Sequence, residues 1–149
     1  MPVMGVVKFQ RFFRAAAGLQ VDRNDLKRYT EFIDDKIYDL FVVAKASAKA
    51  NSRDVIESWD LPITAGLQQS IHRFEKLDEE IELQPLLDQL AARPPLDLAL
   101  SEDTEHRLPL IAGGLSVALA QTFVTIAPRV KNPGTAEWSA VFEIFHLLL

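Results

Sequence analysis

Apolar residues recur at steps of three and four through several stretches of this chain, and the longest run lies between Asp22 and Ala50. Leu26, Tyr29, Ile33, Ile37, Leu40, Phe41, Ala44 and Ala48 fall on one side of a helix, with Lys27, Glu31, Asp34, Asp35 and Asp39 opposite. Asp22 supplies an N-cap, because a short acceptor side chain satisfies a free amide of the first turn. Asp25 adds negative charge where the helix dipole is positive. Neither Gly nor Pro interrupts the run before Asn51-Ser52. The expected rod is roughly 40 Å long, and its apolar stripe needs partners from end to end.

The flanking patterns are shorter. Val6 to Ala17 predicts a helix with Val6, Phe9, Phe12, Phe13 and Ala16 inward, closed by Gly18. Leu19 to Val21 is a tight link. Asp54 to Glu57 suits a very short strand. Ser58 or Asp60 is expected to cap a third helix, with Pro62 tolerated in its first turn. Its stripe is Ile63, Leu67, Ile71 and Phe74, and it is expected to stop in the acidic run Asp78-Glu79-Glu80.

The order then repeats. Leu83 to Ala92 predicts a short helix with Leu86, Leu87 and Leu90 inward, broken by Arg93-Pro94-Pro95, and Leu96 to Leu100 an extended link. Ser101 caps a second long helix with Leu108, Ile111, Leu115, Leu119, Thr122 and Ile126 on one side. Pro109 is expected to kink that helix or delay its regular start. After the loop Pro128 to Gly134, Thr135 caps a last helix with Trp138, Val141, Phe142, Phe145 and Leu148 on one side. Asp22 and Ser101 stand 79 positions apart, so a short–long–short triplet is written twice without close identity. The expectation is an all-α protein forming one unit over residues 1–149, with halves at 5–80 and 81–149. Neither long helix can cover its stripe with its own flanking helices, so each half needs the other.

Composition agrees with a real core: 48% of the 149 residues are hydrophobic. Cysteine is absent, which removes disulfides, thiolate chemistry and Cys-based zinc sites. Met1 to Lys8 lack the charged start and long apolar run of a secretory signal. Both observations point to the cytoplasm. Leu110 to Ala127 carries no charge, but Ser116, Gln121, Thr122, Thr125 and Gly113-Gly114 mark it as a buried core helix rather than a membrane span. The net charge is −5, unevenly spread. Residues 81–149 hold 4 Lys and Arg against 8 Asp and Glu, whereas residues 1–30 hold six cations against only Asp22 and Asp25.

That basic end includes Lys8, Arg11, Arg14 and Arg23, which read either as a solvated helix face or as contacts to DNA phosphates. Glu31, Asp34, Asp35 and Asp39 read as a solvated face rather than a metal site, since no His stands at ligand spacing. His72 and His106 sit in polar surroundings, and His146 in the apolar end is expected to be packed. No Ser-His-Asp, paired-carboxylate or phosphate-loop pattern occurs, so no catalytic residue, metal, cofactor or small-molecule substrate is expected. Gly113 and Gly114 are expected where the two long helices cross closely.

A short, a long and a short helix with tight links resembles the histone fold. Arg11 and Arg14 with Phe12 and Phe13, and Val21-Asp22, match the corresponding parts of archaeal histones. Arg53 and Asp60 fall on the Arg and Asp that histones pair across the second loop. The whole chain resembles a small bacterial family, of uncharacterised function, in which two histone folds are fused into one pseudodimer. Phe12 to Leu26, Asp60 to Ile63, Arg93 to Leu98 and Lys131-Asn132-Pro133 carry the likeness. It implies an intramolecular handshake, with Arg53 and Asp60 as a structural ion pair; Arg53 as a phosphate contact is the other reading.

The departures bear on function. Asp54 and Val55 stand where DNA-binding histones have a Lys and a Thr that reach phosphates, and Gln20 replaces an Arg. Asp88 and Gln89 replace basic residues in the second half, where Pro128-Arg129-Val130-Lys131 keeps some positive charge. Each lost charge removes one counterion-release contribution to affinity. The leading expectation is a non-enzymatic protein-interaction or assembly module that binds other proteins or its own copies. The alternative is a weak, nonspecific binder of double-stranded DNA.

Overall fold

The computed structural model describes residues 3–90 and 98–149, leaving aside the side chains of residues 3, 4 and 90. Six α-helices run in order: α1 Val3–Ala17, α2 Arg23–Ala50, α3 Ala65–Ile81, α4 Gln84–Leu90, α5 Glu102–Ile126 and α6 Thr135–Leu148. Two two-residue strands, β1 Val55–Ile56 and β2 Ala99–Leu100, pair in parallel, Val55 with Ala99 and Ile56 with Leu100. The described chain is therefore all-α apart from that pair. The expected break at Arg93-Pro94-Pro95, the start of the link at Leu96 and the inward Leu90 side chain lie outside the described residues.

The long helices begin as their sequences dictate. Asp22 accepts from the Asp25 amide at 2.8 Å, and the Asp25 carboxylate accepts from the Asp22 amide at 2.9 Å. Two free donors of the first turn are thus satisfied reciprocally. Ser101 accepts from the Thr104 amide at 3.1 Å. α1 stops at Gly18, whose φ of +66° is the left-handed conformation that side chains resist.

Three helix starts or stops differ from expectation. α3 is capped by Thr64, which accepts from the Leu67 amide at 3.1 Å, and not by Ser58 or Asp60. The Asp60 carboxylate is committed elsewhere, and Leu61 is held extended by the proline that follows it. α3 also continues through Asp78-Glu79-Glu80, because Ile81 is buried and Asp78 accepts from the Leu83 and Gln84 amides at the start of α4. The cap of α6 stands one residue earlier than expected: Gly134 occupies that place, and Thr135 instead accepts from Arg28 at 3.0 Å.

One core runs through all the described helices except α4's outer face, with Phe9, Phe12, Phe13, Tyr29, Phe74, Phe123 and Trp138 among its largest members. α5 is its axis. It passes unbroken through the buried Pro109, and 61% of its most apolar window is covered. By length and composition alone α5 could cross a membrane; its burial here is that of a core helix. α3 makes the most extensive contact with it.

The glycine pair explains that closeness and corrects an expectation. A Cβ on Gly113 would collide with the Phe74 ring, and one on Gly114 would stand 3.1 Å from the Ile71 backbone nitrogen. The pair therefore seats α3, not α2. The two long helices meet elsewhere, at Tyr29 and Ser116, whose hydroxyls lie 2.6 Å apart. Ser116 gives its proton to the Ala112 carbonyl at 2.7 Å, so Tyr29 is the donor in that pair. A glycine is needed on the shorter-range contact, and a hydroxyl bridge serves the longer one.

Bonds between distant parts of the chain recur as a pattern. The Ser101 amide donates to the Ile56 carbonyl at 3.0 Å, and the Gln20 amide to the Lys131 carbonyl at 2.7 Å. Trp138 Nε1 donates to Asp25 at 2.9 Å, and Thr104 Oγ1 to the Ile56 carbonyl at 2.9 Å. Asp25 and Thr104 hold the same third position in the two long helices.

Candidate functional site

Arg53 and Asp60 face each other across the loop after α2. Arg53 Nη1 and Nη2 donate to the two Asp60 oxygens at 2.6 and 2.7 Å. Ser47 Oγ and the Glu57 amide donate to the same carboxylate, each at 2.8 Å. The Asp60 side chain is fully buried. The Arg53 hydrogen bonds, then those of Glu57 and Ser47, hold its carboxyl well below the usual range against the opposing effect of burial. Arg53 also lies over the exposed Trp59 ring, 5.7 Å from its centroid. Four donors are directed at the buried carboxylate, which holds the loop to the end of α2, while the Arg53 side chain remains 28% exposed.

The basic end does not form a single strip. Lys8 donates to the Glu82 carbonyl at 3.3 Å, at the end of α3. Arg11 and Arg14 are exposed and line a cleft with Lys76 and Glu80 between α1 and α3. Arg23 lines a different cleft with Val6 and Phe9. At 100° per residue, Val6 and Phe9 lie on roughly the opposite side of α1 from Arg11 and Arg14. No group of three or more metal-ligating side chains occurs among the described residues.

The feature that sequence reading missed lies on the outer side of α2. Glu31, Asp35 and Asp39 lie on that side, as expected, but among and just after them the helix also presents Tyr38, Val42 and Val43 to solvent, at 49, 46 and 50% exposure. Tyr38 and Val42 are one helical turn apart, so they form a strip rather than scattered points. A groove of about 460 Å³ runs beside it, floored by Phe32 and Phe142 and edged by Asp35, Asp39, Glu143 and His146. The two phenyl rings stack at 5.8 Å and 3°. Lys36 crosses the groove wall to Asp39 at 3.1 Å. The available signal was the pair Val42-Val43 where the heptad-like alternation calls for charge.

The end of α6 borders the same region. His146 is exposed, not packed, and Leu148, the last residue of α6, is 76% exposed although it shares a face with the buried Val141. The inward positions are Trp138, Val141 and Phe145, and a residue one step past Phe145 points about 100° away from them. His72 and His106 are exposed. The arrangement has the chemistry of a contact surface: an apolar strip, an aromatic-floored groove and a rim of both charges.

Comparison with known proteins gives one family and close structural likeness. Residues 9–146 match the profile of a family described as a domain of unknown function (DUF1931). A crystal structure of a Thermus thermophilus protein is 49% identical, covering 97% of each chain with a TM-score of 0.86. A crystal structure of an Aquifex aeolicus protein is 25% identical over 97% of this chain and 95% of that one, with a TM-score of 0.85. Two curated relatives from Aquifex aeolicus (strain VF5), both described as uncharacterised, are 28% identical over 111 residues and 26% over 142. The matched region spans 65% of the first relative's length and 80% of the second's, and 74% and 87% of this chain.

Proposed function

We propose, from the premise that this chain belongs to the DUF1931 family, that it is a non-enzymatic cytoplasmic assembly module. In this reading it is two histone folds shaking hands within one chain, and two copies join through the C-terminal half of α2. The handshake is supported by the short–long–short order written twice and by the bonds between halves. β1, after the first long helix, pairs with β2, before the second. Gln20, before the first, bonds Lys131, after the second. That reciprocity is what a pseudo-twofold relation between two interlocked modules requires.

The observation that carries the assembly reading is the exposed pair Tyr38 and Val42, one turn apart, with Tyr38 on the edge of the phenylalanine-floored groove. A twofold contact brings the same patch of both copies together, and the exposed apolar surface of Tyr38 and Val42 beside the groove can pack against its own copy. The non-enzymatic reading is supported by where displaced acidities lie. Asp60 is consumed by its loop, and Tyr29, whose phenol is raised by burial, sits in the core bonded to Ser116. Light scattering across a concentration series tests the proposal. The wild type is expected to reach the mass of two chains, and Tyr38→Ala/Val42→Asp to stay at one. A wild type that remains one chain at high concentration overturns it.

A further inference from the structure

We infer that the cleft between α1, α2 and α4 binds a medium-chain carboxylate, its head group at Arg23 and Lys27 and its hydrocarbon tail along the apolar wall. This site lies on the N-terminal half of α2, away from the strip above, and does not depend on the assembly reading. The cleft encloses about 590 Å³, within the range of small-molecule sites. Val6 and Phe9 from α1, Leu26 from α2 and Leu86 from α4 wall it on three sides. An alkyl chain leaves water by lying against them, and each buried methylene adds to the binding.

Charge gives the ligand a direction. Arg23, Lys27 and Glu31 all line the cleft and succeed one another at steps of four, so they stand in a row along α2, about 12 Å from first to last. The two cations come first and the acid last. A carboxylate is drawn to the Arg23–Lys27 end and repelled from the Glu31 end, which leaves the tail pointing toward Glu31 over the apolar wall. Among the described residues neither Arg23 nor Lys27 is in an ion pair or hydrogen bond. The nearby Thr30 hydroxyl is already committed to the Leu26 carbonyl at 2.9 Å. Selection of the head group therefore falls to charge. An alkylammonium of the same length meets repulsion at the cationic end, and an alcohol gains nothing there.

Calorimetric titration of the full chain with decanoate below its micellar concentration tests the assignment, with decanol and decylammonium alongside. The expected result is saturable one-to-one binding of decanoate, with decanol about tenfold weaker or worse. Arg23→Gln/Lys27→Gln is expected to weaken decanoate by at least about tenfold while its melting curve overlays the wild type, since both side chains are exposed. Arg11→Gln/Arg14→Gln, in the other cleft, leaves the affinity unchanged. Leu86→Trp fills the cleft and abolishes binding. Absence of saturable decanoate binding, equal affinity for decanol, or unchanged affinity in Arg23→Gln/Lys27→Gln overturns it.

Discussion

Four donors converge on the Asp60 carboxylate, and all of them favour its ionised form. Its folded-state pKa lies below the unfolded value, so its contribution to stability is complete above about pH 4 and fades as pH falls from there toward the folded value. Thermal melts between pH 7 and pH 2 are expected to show the wild type losing stability on the acid side, and Asp60→Asn to start lower at pH 7 with a shallower acid-side fall. Asp25 behaves oppositely: burial raises its carboxyl, while the Asp22 amide and the Trp138 indole act against that rise. Those two donors are what make a buried acid tolerable at the head of α2. Trp138→Phe keeps most of the ring volume and removes one donor, and urea unfolding is expected to show a loss of about 2 kcal/mol. The capping role of Asp22 was legible in sequence because it is local. The Trp138 bond to Asp25 was not, because its partners are 113 positions apart.

Helices are legible where capping and apolar spacing agree, as in α2 and α5. They are misjudged where one residue type serves two roles. Pro62 suits a first helical turn, but it also forbids the helical conformation to the residue before it, and here that second effect wins. At the end of α6 apolar composition misleads: His146 is exposed despite its apolar neighbours, and Leu148, on the same face as Val141, is exposed because it stands at the last position of the helix. The α3–α5 contact gives a sharp test. Gly114→Ala brings a methyl within 3.2 Å of the Ile71 backbone, and a backbone cannot rotate aside as a side chain can. Denaturant unfolding is expected to show a loss of about 1–3 kcal/mol. Gly66→Ala, in the exposed first turn of α3 with nothing nearer than 4.0 Å, should gain up to about 0.5 kcal/mol instead. The contrast separates close approach from the ordinary helix preference for alanine.

At the scale of the molecule, α5 is covered chiefly by α3, with α4 and α1 beside it, so most of its cover comes from the first half of the chain. Residues 1–80 alone would leave Phe74, Ile71 and Phe12 facing water, and are expected to show no cooperative melt. Adding residues 81–149 in trans should restore one, followed by circular dichroism. The expectation of mutual need rests on the two long stripes. The exposure of Tyr38, Val42 and Val43 of α2 is not legible in the sequence, because they stand among the charged residues Asp39 and Lys45 that mark the outer side. The bonds from Ile56 to Ser101 and from Gln20 to Lys131 also have a consequence for biosynthesis. The first needs residue 101 and the second residue 131 to have emerged, which adds about 1 to 10 s after residue 80 at ordinary elongation rates. For that interval the first half stands without the partners of those two bonds, and its apolar surface is open to chaperones and to other nascent chains.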